Sequence, residues 1–163
     1  MQRERGKEFI TAALIILLDH ILKFLFYNKG LVKEEIIIVK NLLYFVPASQ
    51  NPGIAFGLFQ NYGKLFIIPS SIVILFILFV YLRTNKEKTL FNWGLIFILA
   101  GALSNLIDRI AYGFVIDYLM LNKFPYSFNI ADSSILIGVG LIIIKIIKDS
   151  HLPKKRRASK MQD

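Results

Sequence analysis

Four long apolar stretches run along the chain, separated by polar segments: about Phe9 to Tyr27, Leu65 to Leu82, Thr89 to Ile107 and Phe128 to Ile147. Each approaches the ~20 apolar residues that a helix needs to cross a bilayer core. The pattern predicts four transmembrane helices. The first stretch opens like the apolar core of a secretory signal, but no small-x-small site follows, and Asp19 and Lys23 continue the helix. It is read as an uncleaved anchor. Pro69 is expected to bend the second helix. Between the first two spans the period changes. Ile36-Ile-Ile-Val39 and Leu42-Leu-Tyr-Phe-Val46 are β-branched or aromatic runs, and Pro47 and Asn51-Pro-Gly53 mark turns. A small antiparallel β-sheet over about 35–59 is expected there. The predicted fold class is therefore an all-α integral membrane protein, with four helices and a small extracytoplasmic β-sheet between helices 1 and 2. One domain spanning 1–163 is expected, ending in a basic tail at 150–163.

Charge orients these spans. Arg3, Arg5 and Lys7, then Arg83, Lys86 and Lys88, then Lys154, Lys155, Arg156 and Arg157 flank the apolar runs. By the positive-inside rule both termini and the 83–88 loop face the cytoplasm. Trp93 then suits an interfacial anchor near the cytoplasmic end of the third span. The net charge of +9 is accounted for by these clusters and by attraction to anionic lipid, so nucleic acid is not an expected partner. Hydrophobic residues make up 55% of the chain, and that excess, with the long uncharged runs, moves it out of the soluble class. With no cysteine, disulfides, thiolate catalysis and cysteine-based zinc sites are excluded. Two histidines, His20 and His151, and no H-E-x-x-H argue against a zinc protease. No metal or cofactor is expected.

The informative residues are the acids left at the span ends. Asp19 sits late in an outward-going helix and Asp108 ends another. Asp132 begins an inward-going helix, and Asp117 lies in the loop between. The predicted topology puts all four at the outer face. A charge in lipid is costly unless paired or hydrated, so such acids are functional candidates. Asp19 and Lys23, four apart, share a helix face and can pair. Asn105, Asp108 and Arg109 present an amide, a carboxylate and a guanidinium on one face. Asn129 and Asp132 share another, Asp132 in the first turn where the helix dipole favours a carboxylate. Phe114-Val-Ile-Asp-Tyr-Leu119 is too apolar for a solvated loop and is expected to pack at the interface as a short helix or re-entrant turn. Two close carboxylates cannot both ionise cheaply and share a proton, leaving one base and one acid. That is the apparatus of metal-free aspartic peptide hydrolysis. Spacing leaves open whether the pair is 117/132 or 108/132. Ser133 or Ser134 with Lys23 is a weaker nucleophile option, because Lys23 already has Asp19. His20 reads as an interfacial polar residue.

The chain resembles the bacterial lipoprotein signal peptidases, the type II signal peptidases. Asp19-His-Ile-Leu-Lys23 is similar to that family's Asp-Gln-x-x-Lys. Asn51-Pro-Gly-Ile-Ala-Phe-Gly57 looks like Asn-x-Gly-Ala-Ala-Phe-Gly. Gly101-Ala-Leu-Ser-Asn-Leu-Ile-Asp-Arg109 resembles Gly-Ala-x-Gly-Asn-x-x-Asp-Arg. Val115-Ile-Asp117 and Phe128-Asn-Ile-Ala-Asp132 resemble the segments with the catalytic aspartates. The resemblance implies a catalytic dyad of Asp117 and Asp132. It implies that Asn51, Gly53, Asn105, Arg109 and Asn129 contact substrate or shape the site, with Asp19, Lys23 and Asp108 in support. It further implies a diacylglyceryl-modified prolipoprotein as substrate, cut before the lipidated cysteine, in the bacterial cytoplasmic membrane. A monomer among membrane lipids is expected. His20, Ser104, Tyr118 and Ile54 depart from the family's usual Gln, Gly, Phe and Ala, and Gln50 stands where a basic residue is frequent. Ser104 puts a hydroxyl where helices pack closely, and Ile54 could narrow the groove. Two rival readings are a small transporter or proton-relay subunit, and a non-catalytic scaffold. The first predicts acids near the bilayer midplane; the second predicts acids replaceable by amides.

Overall fold

A computed structural model describes residues 3–52, 63–84, 89–122, 124 and 126–150. Four helices dominate: α1 (Arg3–Lys23), α2 (Ile67–Arg83), α3 (Thr89–Ala111) and α4 (Ile130–Ser150). All four are long and apolar enough to cross a membrane. A π-helical turn, Phe24–Asn28, extends α1. The apolar side chains point outward as well as inward: Ile68 and Leu136 are each 71% exposed. In a water-soluble bundle that surface would be unsupportable, and in lipid it is the solvated face.

Pro69 falls in the first turn of α2, directly after a 3-10 turn at Gly63–Phe66. There the missing N–H forfeits no intrahelical bond, so proline marks the helix start and not a mid-span bend. At this bundle's other end, Tyr81 donates to the buried Glu8 carboxylate at 2.6 Å. The Arg5 guanidinium lies 5.3 Å from the Tyr81 ring centroid and donates to Thr84 O. This cluster ties α1 to α2.

Helix α3 is the spine, because α1, α2 and α4 all pack on it. Its approach to α4 is very close. A Cβ on Gly138 would lie 2.5 Å from Gly94 O, and one on Gly94 2.8 Å from Gly138 O. A Cβ on Gly101 would collide with Ala131 O. Small residues let the two backbones touch, a common packing solution where lipid competes for apolar contact.

The sheet has four strands in the order β1 (Ile36–Val39), β2 (Leu43–Asn51), β3 (Val115–Leu121), β4 (Ser127–Phe128), all antiparallel. The expectation of a sheet confined between helices 1 and 2 captures only half of it: β3 and β4 come from the α3–α4 connection. The segment around Asp117 is a strand, not a short helix or re-entrant turn. Its local apolar pattern could not show the partner strand, which lies more than 60 residues earlier. β1 and β2 turn at Asn41, whose φ of +59° suits an asparagine. Pro47 does not end β2. The strand continues with a register irregularity between Phe45 and Ser49, as expected where a ladder N–H is missing. Residues 53–59 of the expected sheet region lie outside the described residues, as do the 85–88 loop and the 151–163 tail.

The α3–α4 contact gives a direct test. Gly101→Ala and Gly138→Ala should each cost about 1–3 kcal/mol through overpacking and lower the thermal midpoint in detergent. Gly140→Ala, with nothing within 4 Å of the new Cβ, should leave it unchanged or slightly higher.

Candidate active site

Three helix ends and the sheet meet at one end of the bundle. α1 delivers Asp19 and Lys23 from its last turns, and α3 delivers Ser104, Asn105, Asp108 and Arg109. The start of α4 brings Asn129 and Asp132, while β2 and β3 bring Asn51 and Asp117. Asp19, Lys23, Ser104, Asn105, Asp108, Asp117 and Asn129 are all buried.

Asp132 owes its position to the start of α4. Asn129 caps the helix, its Oδ1 accepting from Asp132 N at 2.8 Å. Asp132 Oδ2 reaches back to accept from Asn129 N at 3.3 Å. This is a reciprocal capping box with Asn and Asp in place of Ser and Glu. Asp132 is therefore both part of the helix cap and a candidate functional acid. Its other oxygen accepts from Asn105 Nδ2 at 2.8 Å, across the close α3–α4 contact.

Asp117 is held by two amides. Asn129 Nδ2 donates to its Oδ1 at 2.8 Å and Asn51 Nδ2 to its Oδ2 at 3.0 Å. The β2–β3 register, with Ser49 opposite Asp117 and Asn51 opposite Val115, brings Asn51 within reach. Asn129 Nδ2 also lies 3.1 Å from Asn105 Oδ1. The Asn129–Asn105 amide pair thus touches both carboxylates. Burial, then the neighbouring Asp132 charge, pushes the Asp117 carboxyl up to about 7.

Asp108 is engaged by a cation and a strand amide. Its Oδ2 accepts from Lys23 Nζ at 2.7 Å and from Ile116 N at 3.1 Å, which anchors β3 beside Asp117. Lys23 also contacts Asp19 Oδ2 at 2.6 Å and Asn105 Oδ1 at 3.2 Å. These three partners match the three donors of an ammonium. The geometry removes the Ser–Lys alternative, since Ser133 and Ser134 donate to the carbonyls of Asn129 and Phe97. Arg109 Nη1 points back to Asn105 O at 3.3 Å, and its charge is within electrostatic range of Asp132, Asp108 and Asp117. Gly53 lies outside the described residues.

Asp19 is the hub behind the site. Its Oδ2 accepts from Ser104 Oγ at 2.6 Å, and its Oδ1 from Tyr118 OH at 2.8 Å and Ala131 N at 3.3 Å. The Tyr118 oxygen accepts from Ile130 N at 3.2 Å. Burial and the Asp19 charge raise the Tyr118 hydroxyl, keeping it a donor. So Asp19 and Tyr118 satisfy two orphan N–H groups of the first turn of α4. Sequence reasoning missed Ser104 and Tyr118 as site-building residues. Both stand in the sequence as departures from the family pattern, and a polar group in an apolar run is the available signal.

Comparison with known proteins gives the family. The family profile described as signal peptidase (SPase) II matches residues 11–148. The lipoprotein signal peptidase of Halalkalibacterium halodurans is 36% identical over 152 residues, covering 91% of this chain and 97% of that one. That of Halothermothrix orenii is 41% identical over 137 residues, covering 83% and 92%. A solved bacterial membrane enzyme superposes with a TM-score of 0.81 at 28% identity, covering 90% of both chains. With the profile spanning most of the sequence and its relatives matched nearly end to end, this multi-pass membrane chain belongs to the signal peptidase II family.

Proposed function

We propose that this peptidase is an intramembrane aspartic endopeptidase. It removes the signal peptide from diacylglyceryl-modified prolipoproteins, cutting before the lipidated cysteine, with Asp117 and Asp132 as catalytic groups. The observation that carries the reading is the attachment of both carboxylates to one buried amide pair, Asn129 and Asn105. This holds them as neighbours although they come from different elements. Lys23, the buried cation, is already matched by Asp19 and Asp108, and two neighbouring buried carboxylates cannot both ionise cheaply, so the pair holds one proton between them.

In this mechanism the ionised carboxylate takes a proton from water, and the resulting hydroxide equivalent attacks the scissile carbonyl carbon. The protonated carboxyl gives its proton to the carbonyl oxygen, forming a gem-diol. Collapse of that intermediate breaks the C–N bond as the amide nitrogen is protonated. No metal or cofactor is called for. Asp132 is partly exposed and offers the side from which water and substrate approach. Asn51, Gly53 and Arg109 are assigned to substrate contact, and Asp19, Lys23 and Asp108 to holding the frame.

The positive-inside charges support a placement in the bacterial cytoplasmic membrane with both termini cytoplasmic and the site at the outer face. The protein works as a single-domain monomer among membrane lipids. The transporter reading is disfavoured because the acids gather at one end of the bundle.

Asp117→Asn and Asp132→Asn should each lower cleavage of a lipidated precursor peptide on the order of 10³-fold, with unchanged size-exclusion behaviour in detergent. Turnover near the wild-type rate in either variant would contradict the dyad.

The pH profile should carry the sign of the Asp117 shift. Below about 7 Asp117 keeps its proton and the pair retains an acid. As pH rises through that value the acid is lost, so kcat/KM should fall. Because the folded-state value is raised from 3.8 to about 7, stability from this group is present below the ordinary carboxylate value and is lost as pH rises from there through about 7. A rate that climbs steadily from pH 6 to 9 would contradict this assignment.

A further inference from the structure

His20 and Ser104 are the two polar residues at the α1–α3 contact that the mechanism above leaves without a task. Ser104 Oγ lies 2.6 Å from Asp19 Oδ2 and 3.3 Å from His20 Nε2. Ser104 is fully buried, and a hydroxyl carries one proton. The short contact to the carboxylate takes that proton, because an ionised carboxylate only accepts. Nε2 of His20 must then carry a hydrogen and donate to Ser104 Oγ. The chain of donors is therefore directional: His20 to Ser104, Ser104 to Asp19. On the far side Asp19 holds Ala131 N directly and Ile130 N through Tyr118. These are the two residues between Asn129 and Asp132.

The charged groups around the imidazole are few. Asp108 Oδ1 lies 3.8 Å from His20 Nδ1, beyond hydrogen-bond range, and has no hydrogen-bond partner among the described residues. Asp19 and Lys23 flank His20 on its own helix.

We propose that His20 and Ser104 form a coupled positioning pair for the candidate dyad. The imidazole fixes the Ser104 hydroxyl, the hydroxyl fixes the Asp19 carboxylate, and Asp19 fixes the first turn of α4 that carries Asp132. Neither residue touches the reacting atoms. The proposal rests on the peptidase reading and concerns how this chain sets the angle of its catalytic acid.

The test is steady-state cleavage of a lipidated precursor peptide by purified full-length protein. Turnover by the wild type tests the function, and the variants, read as ratios to it, test the pair. His20→Leu and Ser104→Ala should each lower kcat about tenfold to a hundredfold through misplacement of the acid, with KM changed less than about twofold. His20→Gln, whose side-chain amide can still donate to Ser104, should retain most of the wild-type kcat. The double variant His20→Leu/Ser104→Ala should be no slower than Ser104→Ala alone, because the imidazole acts only through the hydroxyl. Multiplying losses, an effect confined to KM, or a His20→Leu enzyme as fast as His20→Gln would each overturn the pair. If Ser104→Ala fails to fold, the comparison of His20→Leu with His20→Gln decides alone.

Discussion

The Lys23 ammonium lies sealed between Asp19 and Asp108 at 2.6 and 2.7 Å, with Asn105 completing its donor set. These three partners come from two helices, and the carboxylates extend the contact to a strand and a third helix. Asp108 takes Ile116 N of β3, and Asp19 takes Ala131 N of α4. One buried cation therefore locks the elements that supply Asp117 and Asp132. Breaking such a pair strands a charge away from water, at a cost of about 3–5 kcal/mol. That makes the cluster rigid, and rigidity is what a site needs when its reacting groups must be held to fractions of an ångström.

The groups of the candidate site also do structural work. Asn129 caps α4, contacts Asp117 and meets Asn105, while Asp132 completes the capping box. Capping orients the carboxylate without an added scaffold. It also explains why the acid stands at a helix start: the first-turn N–H groups and the dipole tolerate a carboxylate there that a mid-helix position would not. Asp117 has the opposite setting. Buried in a strand beside another acid, it is held up to about 7, where a carboxyl can serve as a proton donor.

Close packing of α3 on α4 turns these local devices into one site. Gly94, Gly101 and Gly138 remove the side chains that would part the backbones. Asn105 on α3 then comes within 2.8 Å of Asp132 on α4. Glycine at these positions is a distance setting, required by what a Cβ would strike.

Hydropathy alone determined the four spans, because a bilayer imposes length and composition on any helix that crosses it. Helical spacing determined which of Asp19/Lys23, Asn105/Asp108/Arg109 and Asn129/Asp132 share a face, because that follows from 3.6 residues per turn. Identity as a signal peptidase II was also legible, since five motifs stood in order. Tertiary structure decided the rest. It made Asp117 a strand residue, because pairing with β2 depends on a partner far away in sequence. It gave Asp108 its partners, Lys23 and Ile116 N. It enlisted Ser104 and Tyr118, whose hydroxyls matter only once α1, α3 and β3 converge on Asp19. Periodicity is a property of one segment and can be read from it; a hydrogen-bond partner is a property of two, and only the folded chain brings them together.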